Sequence, residues 1–210
     1  LGTVIDIRSL EPFWGRYVAA VVEESGWTTG FIGDIGSTLP AGAGLSSSAA
    51  FEIALALALG FSGSSMDLAL LGQRAELRAV GVPCGLLDQL SIVFGRAGHA
   101  MVIDFADNAI EHIAFPEDLY IWIVHSGQER QLIDSDYAER RASCELAAEQ
   151  IGPLATASAR DIAMLDGELL RRARHVSTEC ERVRQAAIAL QSNDPIHVGQ
   201  LMIESHASLR

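Results

Sequence analysis

The chain has 210 residues, of which 49% are hydrophobic and 20% charged, and its formal net charge is −12 at pH 7. This acidity argues against a protein that binds nucleic acid or anionic membranes through a basic face, and no apolar run approaches the ~20 residues of a transmembrane helix. All 15 basic residues are arginine, which also excludes the sites that depend on lysine: Walker A loops, protein kinases, cofactor aldimines and S-x-x-K nucleophiles.

The first two predicted elements are a helix and a strand. Apolar residues at helical spacing, among them Phe13, Tyr17 and Val21, predict a helix over residues 10–24 that ends at Gly26. The stretch 27–35 that follows is predicted to be a strand.

A glycine- and serine-rich loop comes next and is the most informative feature of the chain. The loop residues are Gly42, Ala43, Gly44, Leu45, Ser46, Ser47 and Ser48. The two glycines allow the backbone to turn sharply and to approach a ligand closely. The three serines stand where a buried helix over residues 49–59 begins, and there the first N–H groups lack intrahelical partners while the helix dipole adds ~+0.5 charge. The alternative is an ordinary serine-capped helix, but one serine would suffice for a cap. The pattern therefore favours a phosphate-binding loop that works without lysine.

The middle of the chain alternates between helices and strands. Helices are predicted from a Ser64-Ser65 cap to about residue 80, where Gly81 and Pro83 end the pattern, and over residues 85–94. Strands are predicted at 99–105, 109–115 and 119–125, with a tight turn at residues 107–108.

The remainder of the chain is predicted to be helical. The predicted helices cover residues 137–150, 159–165, 168–174, 178–191 and 195–206. A strand-containing part thus precedes a helix-rich part, with a border near residues 116–119. The fold class is α+β, and the predicted domains are residues 1–117 and 118–210.

Several segments resemble one known family. Residues 40–50 (PAGAGLSSSAA) are similar to the second signature of the GHMP kinases, the small-molecule kinases named for galactokinase, homoserine kinase, mevalonate kinase and phosphomevalonate kinase. The triple serine, together with residues 81–89 (GVPCGLLDQ), 132–145 (LIDSDYAERRASCE) and 204–210 (ESHASLR), resembles the galactokinase branch. The resemblance implies a two-domain GHMP kinase fold, with a mixed sheet and helices in an ATP-binding N-terminal domain and a helix-rich C-terminal domain.

The resemblance also implies roles for individual residues. Asp88 matches the catalytic aspartate, and Gly85 matches a position where the sugar comes close to the backbone. Glu76 matches the residue that binds Mg²⁺ together with a serine of the loop, for which Ser48 is the first choice and Ser47 the second. Because Mg²⁺ takes only one or two protein ligands, so small a set is reasonable. A surface ion pair with Arg74 or Arg78 is the alternative for Glu76.

The remaining implied contacts are aromatic. Tyr137 matches a tyrosine near the sugar, and a half-buried helix residue is the alternative. Trp14 and Tyr17 stand where galactokinases have W-x-x-Y beside the adenine, although core packing at spacing i, i+3 explains them equally well.

Two parts of the galactokinase pattern are missing. Residues 1–39 contain nothing like the Glu-His-Thr-Asp run that clasps the sugar, and the third GHMP signature does not appear before Arg210. Residues 125–130 (HSGQER) also depart from the Asn-Ser-x-Val-Arg-His run of galactokinases. We therefore expect a central part of a galactokinase, with both domains incomplete and no activity on its own.

The expected activity is phosphoryl transfer from ATP, with Mg²⁺, to the anomeric hydroxyl of galactose. Two alternatives remain open: a sister kinase for another sugar, and a sensor that binds sugar and nucleotide without phosphorylating. The expected partners are ATP and a small sugar, not nucleic acid or a membrane. Cys84, Cys144 and Cys180 match no zinc-ligand spacing and leave an odd thiol, which favours a reducing cytoplasm. The sequence does not indicate an oligomeric state.

Overall fold

The computed structural model describes residues 6–40, 42–125, 127 and 135–209, with side chains described from residue 138 onward in the last range. Helices α1 to α4 span Gly15–Ser25, Ser47–Ala58, Ser65–Val80 and Leu87–Phe94, strands β1 and β2 span His99–Asp104 and Ala109–Ala114, and helices α5 to α8 span Ser135–Ile151, Ala159–Ile162, Gly167–Gln191 and Pro195–Ser208. Short 3-10 turns occur at Ile7–Ser9 and Leu154–Thr156. This mixture confirms the predicted α+β class.

Helices α1 to α4 form one compact unit. Its core contains Val21 of α1, Ile53 of α2 and Leu71 of α3, all nearly excluded from solvent. Helix α3 is well delimited, because Ser64 and Asp67 form a reciprocal capping box at its start and Gly81 adopts a left-handed conformation at its end. The predicted start and end of this helix are both confirmed.

Strands β1 and β2 and helices α5 to α8 form the second unit. The strands pair antiparallel, with His99 opposite Ala114 and Asp104 opposite Ala109, and Asn108 has positive φ in the turn between them. The buried cluster of the helices consists of Ala147, Leu154, Ile162, Leu165 and Ala173. The domain border near residue 117 stays a prediction.

Two predicted strands are wrong for this structure. Residues 27–35 and 119–125 are irregular, and Ile32 and Trp122 are largely exposed. A strand exists only beside another strand, because its N–H and C=O groups need partners. Within the described ranges neither stretch pairs with another strand. An apolar pattern alone therefore does not make either stretch a strand.

The predicted break within residues 168–191 is also wrong. Helix α7 runs without interruption through residues 175–177, which contain neither glycine nor proline. Val176 and Thr178 lower helix propensity by less than ~1 kcal/mol each, and the Thr178 hydroxyl donates to the Arg174 carbonyl 2.8 Å away within the helix. Among the helices in the described part of the chain, none is long and apolar enough to cross a bilayer.

Candidate active site

The backbone of the glycine- and serine-rich loop alternates in the sign of φ. Gly42, Gly44 and Ser46 have φ values of 70°, 72° and 53°, whereas Ala43 and Leu45 between them stay outside the positive range. Alternation of this kind is a backbone pattern that builds concave anion-binding sites in proteins. A Cβ added at either glycine would meet no atom within 4 Å, so the requirement for glycine comes from the backbone angle rather than from space.

The start of α2 lacks the side-chain cap that α3, α6 and α8 have. Ser64 and Ser158 each accept a hydrogen bond from a first-turn N–H of α3 and α6, but Ser46 makes no capping bond. Its left-handed φ departs from the extended backbone typical of a capping serine. The partial positive charge at this helix end is therefore not offset by a capping oxygen of Ser46.

A chain of two hydrogen bonds links three helices at this point. Ser48 of α2 donates through Oγ to Oε1 of Glu76 in α3, at 2.8 Å. Gln89 of α4 donates through Nε2 to the other oxygen, Oε2, at 2.7 Å. Glu76 and Gln89 are buried. The two residues predicted to bind Mg²⁺ thus lie in direct contact, and the surface ion-pair alternative for Glu76 is wrong, since Arg74 and Arg78 pair instead with Glu24.

A second buried acid, Glu52, lies one helical turn beyond Ser48. It is fully excluded from solvent, and neither of its carboxyl oxygens has a hydrogen-bond partner among the described atoms. Burial, followed by the negative charge of Glu76, raises the pKa of Glu52 to about 9, with an opposing contribution from Gln89. Glu52 is therefore a neutral carboxylic acid at pH 7.

The raised pKa predicts how stability depends on pH. Glu52 ionises near 4.5 when unfolded and near 9 when folded, so between these pH values the folded state binds the extra proton. The free energy of unfolding should fall as pH rises through this window, by up to about 1.4 kcal/mol per pH unit. Urea denaturation of Glu52→Gln should show a shallower pH dependence than the wild type, and identical slopes would contradict the assignment.

Tyr17 and Cys84 border the same cluster. Burial, then the charges of Glu76 and Glu52, raise the pKa of Tyr17 to about 12, and burial and Glu76 raise the pKa of the Cys84 thiol to about 12. Both stay protonated at neutral pH. Tyr17 belongs to the core of the unit, whereas Trp14 is half exposed, and an adenine contact by either residue stays a prediction.

Asp88 is the exposed neighbour of buried Gln89. It is the second residue of α4, where the helix dipole favours a carboxylate, and Gly85 just before the helix is exposed as well. Through Gln89 and Glu76, the first turn of α4 is connected to Ser48. The side chain of Tyr137 lies outside the described residues.

The donor set at Ser48 and Glu76 fits a hard divalent cation. A hydroxyl and a carboxylate oxygen are the ligand types that Mg²⁺ takes, and it completes its octahedron with water and phosphate oxygens. The part of the chain that the structure describes contains no cluster of three or more His, Cys, Asp or Glu suited to a metal. Any cation here would therefore be held by few protein ligands.

Sequence reasoning identified Ser48, Glu76 and Asp88 but missed Glu52 and Gln89. Glu52 is the single charged residue in the apolar run of residues 49–59. An acid in so apolar a helix is either paired or neutral, and that signal was available from the sequence. Nothing in the sequence pointed to Gln89 apart from its position next to Asp88.

Comparison with known proteins gives consistent matches. Residues 14–96 match the family described as GHMP kinases N terminal domain. The chain is 37% identical over 206 residues to the galactokinase of Thermococcus kodakarensis, covering 93% of this chain and 59% of that protein, and 40% identical over 191 residues to the galactokinase of Chloroflexus aurantiacus, covering 84% and 49%. It thus spans about half to three fifths of the length of these curated relatives.

A solved structure gives the corresponding match in three dimensions. The crystal structure of Lactococcus lactis galactokinase complexed with galactose matches 99% of this chain and 59% of that chain, with a TM-score of 0.80 and 25% sequence identity. The similarity extends over both units of the chain and supports the fold predicted from the sequence motifs.

Proposed function

Because the chain belongs to the GHMP kinase family, we propose that the protein transfers the γ-phosphoryl group of ATP to the anomeric hydroxyl of galactose. The observation that carries the proposal is the link from Ser48 through Glu76 to Gln89. It joins the anion-binding end of α2 to the turn of α4 that contains Asp88. The similarity to galactokinases, one of them solved with galactose, supports the choice of sugar.

The loop before α2 holds the nucleotide phosphates. Main-chain N–H groups of residues 42–48 and the hydroxyls of Ser46 and Ser47 donate to phosphate oxygens, and the dipole of α2 adds attraction. The φ alternation supports this role, because it is a backbone pattern found in concave anion-binding sites. Adenine contacts at Trp14 and Tyr17 complete the nucleotide site.

Ser48 and Glu76 are the residues that would hold Mg²⁺, with Ser47 as the alternative hydroxyl. Bound there, Mg²⁺ would supply positive charge that neutralises the negative charge developing on the phosphoryl group during transfer. Glu76 is oriented for this role because Gln89 fixes one of its oxygens and Ser48 contacts the other.

Asp88 is the catalytic base. Its carboxylate accepts the proton of the acceptor hydroxyl, and exposure at the start of α4 leaves it free to meet a sugar. Gly85 permits close approach of the sugar, and Tyr137 contacts it. The chemistry itself requires little more than this positioning, since phosphoryl transfer proceeds through a loose transition state.

One experiment separates this function from its alternatives. Calorimetry with ATP and galactose, combined with a coupled assay for ADP, is applied to the full-length protein. A galactokinase binds both and releases ADP, whereas a sensor binds both and releases none. A panel of sugars in the same assay identifies a sister kinase if another sugar is the better acceptor.

The loop can be tested with a matched pair of glycine substitutions. Gly44→Ala forces an alanine into φ 72°, which costs about 1–2 kcal/mol, and we expect the loop to shift and the Kd of ATP to rise roughly tenfold. Gly26→Ala places the same strain at φ 67° at the end of α1, also with no atom near the added Cβ. Calorimetry should show weaker ATP binding for Gly44→Ala alone; equal affinities would contradict the loop assignment.

The proposal also covers the cellular location of the protein, its partners and its domain border. We infer a reducing cytoplasmic location, supported by three cysteines that form no disulfide, and partners limited to ATP and a small sugar. The proposed domain border lies between residues 117 and 118. We expect the 210 residues alone to lack turnover.

A further inference from the structure

The connection from α3 to α4, residues 81–86, leads directly to the turn that contains Asp88. It is hydrogen-bonded at its two ends, through the N–H of Gly81 and the carbonyl of Leu86. Between these ends, the backbone of residues 82–85 makes no hydrogen bond to another backbone group in the described part of the chain. The position of this stretch therefore depends on side-chain contacts.

Gln73 of α3 supplies such a contact. Its Nε2 donates to the carbonyl oxygen of Cys84 at 3.2 Å, and both residues are half-buried. Because the partner is a carbonyl, only the amide nitrogen of the glutamine can form this bond. The surrounding protein limits replacement by water, so the loss of Gln73 would leave the Cys84 carbonyl poorly satisfied.

The same part of α3 also contacts α4. Glu76 lies three residues after Gln73, on the same side of the helix, and accepts a hydrogen bond from Gln89 at 2.7 Å. The neighbouring Gly72 packs closely against α4, because a Cβ added there would lie 3.1 Å from Cγ of Gln89. One helix thus holds the chain on both sides of Asp88.

We propose that Gln73 is a positioning residue for Asp88: its hydrogen bond to the Cys84 carbonyl fixes the stretch that leads into α4, and with it the place of the Asp88 carboxylate. Because Gln89 still holds α4, the loss of Gln73 should let this stretch shift without detaching the helix. A displacement of about 1 Å at a catalytic group is enough to lower a rate ~10²-fold. The catalytic consequence rests on the proposed function, but the hydrogen bond itself does not.

Two variants remove the hydrogen bond in different ways. Gln73→Met keeps the length of the side chain but has no donor, whereas Gln73→Asn keeps the amide on a side chain that is one methylene shorter. Arg74→Met is the matched control, because it changes the next residue of α3 and removes a hydrogen bond to Glu24 instead. Thermal unfolding ranks the three variants for stability.

The first readout is amide hydrogen exchange in the full-length protein, which is independent of catalysis. Peptides that cover residues 82–90 should exchange roughly fivefold faster in both Gln73 variants than in the wild type or Arg74→Met, as expected for one lost hydrogen bond. Peptides from α1 and α2 should not change. Equal exchange over residues 82–90 in all four proteins, or faster exchange throughout the unit, would show that Gln73 does not specifically hold the connection.

The second readout separates positioning from a loss of folded protein. Gln73→Met should lower kcat for galactose phosphorylation by ~10–100-fold, while calorimetry with a non-hydrolysable ATP analogue shows the wild-type Kd and stoichiometry. A purely structural role would lower the stoichiometry instead, and Arg74→Met should retain kcat. Wild-type kcat in Gln73→Met would overturn the proposal.

The failure of this inference can be told apart from the failure of the proposed function. If the wild type binds the ATP analogue but phosphorylates no sugar, the proposed function is wrong. Hydrogen exchange over residues 82–90 then still decides whether Gln73 holds the connection between α3 and α4.

Discussion

Asp88→Asn should lower kcat for galactose phosphorylation by roughly 10²- to 10⁴-fold in the full-length protein. Asparagine keeps the size of the side chain and its place at the start of α4, but it accepts no proton from the sugar hydroxyl. Because Asp88 is exposed at the start of α4 and its proposed role is toward the sugar rather than the nucleotide, the Kd of ATP should change little. Steady-state rates and calorimetry measure the two quantities.

A first-turn carboxylate elsewhere controls for helix stability. Glu168→Gln removes an exposed charge from the first turn of α7, which has the same relation to its helix dipole. The control should retain wild-type kcat. Wild-type turnover by Asp88→Asn would show that this carboxylate is not the base.

Glu76→Gln should produce the second large effect. The substitution removes the charge that would hold the cation and places an N–H₂ group against either the Ser48 hydroxyl or the Gln89 amide. We expect kcat/KM to fall by at least ~10–100-fold, with half-maximal rate shifted to higher Mg²⁺ concentration. The measurement is a Mg²⁺ titration of initial rates at fixed ATP.

Glu24→Gln is the matched control for this substitution. Glu24 is also a paired acid in the helical unit, but its partners are Arg74 and Arg78 rather than residues of the loop. Its loss should leave the Mg²⁺ dependence unchanged. If Glu76→Gln shows the same Mg²⁺ dependence as the wild type, Glu76 does not hold the cation.

Local signals in the sequence predicted local structure well. Ser64 with Asp67 and the glycine at position 81 define α3 through hydrogen bonds within a few residues, and the turn that contains Asn108 follows from the same short-range chemistry. The break predicted in α7 was wrong because no residue there prevents a helix. The strands predicted at residues 27–35 and 119–125 were wrong because strand pairing depends on segments that are distant in the sequence.

The candidate site also has a part that the sequence predicted and a part that it did not. Family motifs pointed to Ser48, Glu76 and Asp88, and the structure brings Ser48 and Glu76 into contact. The neutral state of Glu52 follows from burial among three helices and from the nearby charge of Glu76. These are consequences of tertiary packing, which spacing along one helix does not encode. The left-handed Ser46 is likewise visible only in the backbone.

The most direct measurement is a crystal structure of the full-length protein with Mg²⁺, a non-hydrolysable ATP analogue and galactose. We expect phosphate oxygens within hydrogen-bond distance of N–H groups in residues 42–48, and the Asp88 carboxylate within hydrogen-bond distance of the anomeric hydroxyl. A nucleotide bound away from this loop, or an Asp88 directed away from the sugar, would contradict it.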